Sequence, residues 1–109
     1  ARQGRKACAI TQIDKHRWRV DCLPGKPLEL RYAVLAHDDS VRTAWLDSTR
    51  AFFNGTSLCL RVAGQSAQPC SIDIDAPELI ADSADWYCAT ALIPQKINAR
   101  GFGRYGAQD

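Results

Sequence analysis

Between Ser40 and Val62 the sequence reads SVRTAWLDSTRAFFNGTSLCLRV, and at its start the alternation of the preceding residues gives way to a longer period. Val41, Ala44, Trp45, Ser48 and Phe52 fall at helical spacing, with Leu46 and Phe53 widening the stripe. Arg42, Asp47 and Arg50 take the opposite, wet side. Asp38, Asp39 and Ser40 offer helix N-caps, and Gly55 behind Asn54 suits a left-handed stop. The spacing predicts one amphipathic helix, which must bury its stripe against whatever the rest of the chain builds.

The rest alternates, so that partner is a sheet. ACAITQID and RWRVDC flank KHR and predict two strands joined by a turn. If Ile10 faces Val20, then Gln12 faces Trp18 and Cys8 faces Cys22, close enough for a disulfide. LELRYAVL places Leu28, Leu30, Tyr32 and Val34 on one face; TSLCLRV does the same for Leu58, Leu60 and Val62. CSIDID sets Ile72 beside Ile74, and a Cys59–Cys70 bridge would staple that hairpin. Cys59 lies off its strand's apolar face, however, and Cys88 is a rival partner for either cysteine. WYCATALI fits a strand or two turns of helix.

The expected class is mainly β with one helix (α+β), in the order β-β-β-α-β-β with room for a late strand. A small OB-like antiparallel barrel has this layout. One domain is expected over residues 1–109, with residues 1–6 frayed and residues 94–109 forming a flexible tail or docking arm.

Five cysteines in 109 residues point to an oxidising compartment, and none forms a CxxC pair that would suggest zinc. With no methionine in the sequence, Ala1 is expected to follow a removed leader or a trimmed terminus. The aliphatic run Ala33 to Ala36 is far short of the roughly 20 residues a membrane helix needs. A net charge of +2 argues against a nucleic-acid partner. No cofactor is implied.

ACAITQI, RWRVDC, TAWLDSTRAFFNGTSLCLRV and Cys70 together resemble the small secreted OB-fold B subunits of AB5 toxins, the subtilase-cytotoxin and pertussis-like branch. The resemblance runs from Ala7 to Ile74, and the sequence beyond Asp75 departs from it. It implies a secreted or periplasmic, non-enzymatic binding module, often a ring-forming homo-oligomer, that recognises a cell-surface glycan. The alternative is a periplasmic factor with a protein partner: an inhibitor, an immunity protein or a component of a secretion assembly.

Candidate ligand contacts follow from residue type. Trp86 and Tyr87 beside Asp85 combine aromatic faces with a hydrogen-bonding carboxylate. Arg104 and Tyr105 lie in RGFGRYG, where Arg, Gly and aromatic residues alternate in a pattern that can stack on bases, dock on a partner or simply form a flexible tail. Trp18 and Trp45 are in phase with apolar neighbours and belong to the core. His37 beside Asp38 could serve as a general base, but no nucleophile signature accompanies it; His16 lies in the predicted turn. Asp73 and Asp75, near Glu78, could hold a cation or line a solvated edge strand. No catalytic or metal-ligating set is assigned.

Overall fold

The computed structural model describes residues 1–38, 40–78 and 85–107. The proposed cap Asp39, most of the APELIADSAD loop and the last two residues lie outside them. The chain divides into two compact units, Ala1–Val34 and Leu35–Asp109.

In the first unit, β1 (Arg2–Gln3) pairs antiparallel with β2 (Lys6–Ala7), and β3 (Ile10–Gln12) with β4 (Trp18–Val20). The β3–β4 register is Ile10 to Val20 and Gln12 to Trp18, as the alternation predicts. Asp14 holds the turn, accepting from the His16 N–H at 2.9 Å and from Arg17 Nε at 2.6 Å. Cys8 does not reach Cys22. Its N–H is committed to the Ala1 carbonyl at 2.9 Å: the β3–β4 ladder runs on only to the bond from the Asp21 N–H to the Ala9 carbonyl, at 3.0 Å, and β2 pairs with β1 instead.

Residues expected to fray are held instead. Arg2 exchanges both backbone hydrogen bonds with Glu29, at 2.9 and 2.8 Å, and their side chains pair at 3.2 Å. The buried Gln3 amide acts as a short strand: Nε2 donates to the Leu23 carbonyl and Oε1 accepts the Leu23 N–H, both at 2.9 Å. The strand expected over LELRYAVL reduces to that bridge at Glu29.

In the second unit the predicted helix is absent. Ala44–Leu46 (β5) and Ala51–Phe53 (β6) form a tight hairpin, with Trp45 opposite Phe52. Asp47 explains the difference: its Oδ1 accepts from the Thr49 N–H, the Thr49 hydroxyl and the Arg50 N–H at 2.7, 2.7 and 2.9 Å. Asp, Ser and Thr compete for local backbone groups in this way and weaken a helix interior. The helix that does form, α1, is Gly55–Leu58. Asn54 caps its start, accepting the Thr56 N–H at 3.0 Å, and so opens a helix rather than closing one. Those residues consume the start of the strand expected in TSLCLRV.

Three further strands, β7 (Cys70–Ile74), β8 (Ile93–Ile97) and β9 (Gly103–Ala107), form a sheet in the order β7-β9-β8. The segment expected to trail from Pro94 onward therefore supplies most of β8 and all of β9. Gly103 permits the close β8–β9 approach: its φ is +138°, and a Cβ there would lie 2.1 Å from the Lys96 carbonyl oxygen.

The fold is mainly β with a single short helix among the described residues, and none of its small antiparallel sheets closes into a barrel. All five cysteines are free thiols, so neither the Cys8–Cys22 nor the Cys59–Cys70 bridge forms. No helix among the described residues is long and apolar enough to cross a membrane.

Candidate functional site

A row of rings crosses the ribbon built on β5. Ala36–Asp38 pairs with β5 through a bridge from His37 to Trp45, with backbone bonds of 3.1 Å on either side. Trp45 in turn faces Phe52 across the hairpin. Cross-strand partners share a face, so His37, Trp45 and Phe52 lie side by side. His37 and Trp45 stack, with centroids 5.1 Å apart and planes 18° from parallel.

Trp45 is fixed from several directions. Its indole N–H donates to Asp47 Oδ2 at 2.8 Å, and the Arg50 guanidinium lies 5.9 Å from its ring centroid. The Asp47 carboxyl is held well below its usual range by the Thr49 hydroxyl first, then by the indole, then by the backbone N–H groups of Thr49 and Arg50. It therefore stays ionised and keeps the ring in place. Phe52 remains 47% exposed, which leaves a partly open aromatic ledge.

An open cleft of about 540 Å³ lies on the three-stranded sheet, lined by Asp73, Asp75, Lys96, Asn98 and Arg104 among others. Arg104 spans to Asp73 in a two-pronged ion pair. No group of three or more potential metal ligands occurs among the described residues.

The structure places the expected contacts in different environments. Tyr105 is buried, 4% exposed, and its hydroxyl donates to the Gly101 carbonyl. Burial first, and then the nearby Cys88, raises its pKa. Its neighbour Arg104 points into the ion pair. Asp85 and Tyr87 are exposed and Trp86 is half-buried. His16 sits in the Asp14 turn, and His37 serves the ring stack. The His37–Trp45–Phe52 row escaped the sequence pattern because Trp45 and Phe52 read as one helical stripe. The DST turn between them was the signal that they face each other.

Over residues 1–109 the chain matches the family model described as the Peptidase M61 N-terminal domain. A crystal structure of an aminopeptidase N family protein from Idiomarina loihiensis is similar, with a TM-score of 0.81 at 30% identity. The match covers 99% of this chain and 18% of that one, so the chain spans less than a fifth of its neighbour's length. No curated protein matches it. These findings overturn the toxin B-subunit resemblance, and with it the glycan ligand, the ring and the separate periplasmic inhibitor or immunity role. The residues that carried the resemblance, AW and AF around Asp47, belong to a hairpin and not to the helix it required. The chain belongs to the Peptidase M61 N-terminal domain family.

Proposed function

We propose that this chain is the non-catalytic N-terminal module of a longer peptidase, one that removes residues from the amino end of peptides. The observation that carries this reading is the match of the whole chain to an N-terminal peptidase domain, combined with a similar structure of which it spans 18%. The side chains favour support over chemistry: His37 is stacked on Trp45, and Arg104 and Asp73 neutralise each other in the sheet cleft. An OB-type closure of the sheets plays no part in the reading.

The test is to assay residues 1–109 and the longer polypeptide separately on aminoacyl anilides and short peptides. Cleavage by the longer protein alone is expected. Turnover by the isolated 109 residues would overturn the non-catalytic assignment, and an inactive longer protein would overturn the peptidase.

A further inference from the structure

We infer that the His37–Trp45–Phe52 row is the surface on which the polypeptide following residue 109 packs, an inference that rests on the N-terminal-module reading. The β5–β6 hairpin is apolar on both faces: Trp45 and Phe52 occupy one, while Ala44, Leu46, Ala51 and Phe53 occupy the other. Strands apolar on both sides belong inside a layered structure and not at its surface. Yet Leu46 is 50% exposed, Phe52 47% and Phe53 36%. Of this hairpin only Ala44 is buried.

The row has the character of an anchor. Binding energy concentrates in Trp and Arg side chains that are already ordered before a partner arrives. Trp45 meets that condition through Asp47, Arg50 and His37. The occupant follows from length, because the similar protein has most of its chain beyond the part this domain matches. A covalently joined partner is present at high effective concentration, so a small ledge of three rings is enough to hold it.

The experiment uses the longer polypeptide. Phe52→Cys is introduced, with exposed Lys15→Cys as a reference, and maleimide labelling of each site is followed by peptide mass spectrometry. Position 52 is expected to label at least about tenfold more slowly than position 15, as a site reached only through local opening would. Hydroxyl-radical footprinting of the unsubstituted protein gives the same readout on Trp45 and Phe52, without relying on a variant that folds. Labelling at equal rates overturns the proposal. Protection that vanishes on dilution assigns the row to a second copy and overturns it as well. Aminopeptidase activity is measured on the same samples. An inactive protein with position 52 protected fails the proposed function alone, and an active one with position 52 open fails the docking surface alone.

Discussion

Arg104 holds Asp73 with two parallel hydrogen bonds, Nε to Oδ1 at 2.7 Å and Nη2 to Oδ2 at 2.9 Å, between residues directly opposite each other on β7 and β9. A forked guanidinium can make both bonds at once, whereas an ammonium cannot. The pair pins the register of an edge strand against the centre of its sheet.

Arg104→Met is expected to lower the urea midpoint at neutral pH, with the difference from the parent shrinking in 1 M salt. The Arg104 hydrogen bond is the main cause holding the Asp73 carboxyl below its ordinary value of 3.8. A depressed carboxyl contributes stability above that ordinary value and loses it as pH falls toward the folded-state pKa. The gap between parent and variant should therefore be full at pH 7 and narrow toward pH 2. A gap independent of pH would show that Arg104 acts through packing alone.

Asp47→Asn separates the two duties of this carboxylate. The Asn carbonyl can still accept from the Thr49 and Arg50 N–H groups, but its amide nitrogen cannot accept the Trp45 indole proton. The Trp45 indole N–H should therefore shift in the NMR spectrum and exchange faster with solvent, while the turn persists. In the parent, the same loosening should appear on acidification, only below the ordinary carboxylate range, because the Asp47 pKa is lowered.

Gly103→Ala should be among the most damaging single-atom additions to the sheet. The new Cβ would meet the Lys96 carbonyl oxygen at 2.1 Å and the Ile97 Cα at 2.9 Å, in a backbone conformation that L-residues rarely adopt. A loss of more than about 1 kcal/mol in chemical denaturation is expected. Loss of amide protection in β8 should accompany it.

Tyr105 predicts an alkaline limit. Its pKa is raised from 10.0, so its contribution is complete below that value and is lost as pH rises through the folded-state pKa. Tyr105→Phe should flatten the stability profile above about pH 10, while losing the hydrogen bond to Gly101 at every pH. An unchanged alkaline profile would place the titration elsewhere.

Strand alternation was the legible part of the sequence. It predicted the β3–β4 register and the strand bearing Ile72 and Ile74, because side chains on those strands alternate between the two faces. The hairpin carries a helical pattern because Trp45 and Phe52 are seven positions apart, a spacing compatible with one helical face and equally with two strands around a short turn. Hydrogen bonds from Asp47 decide between these, and hydropathy does not record them. Gln3 was invisible for a similar reason: a buried polar residue carries no periodic signal, although its amide ties the Leu23 turn. The candidate site is the least legible part, because residue type singles out Trp86, Tyr87 and Arg104 but does not reveal which rings end up side by side.

The strand order β7-β9-β8 also affects how the chain emerges from the ribosome. The two outer strands are synthesised before the one that sits between them, so neither has its permanent neighbour until the final strand appears. Nascent chains arrested before Gly103 should expose a pair of open edges to chaperones and proteases, and release of only a few more residues should close that window.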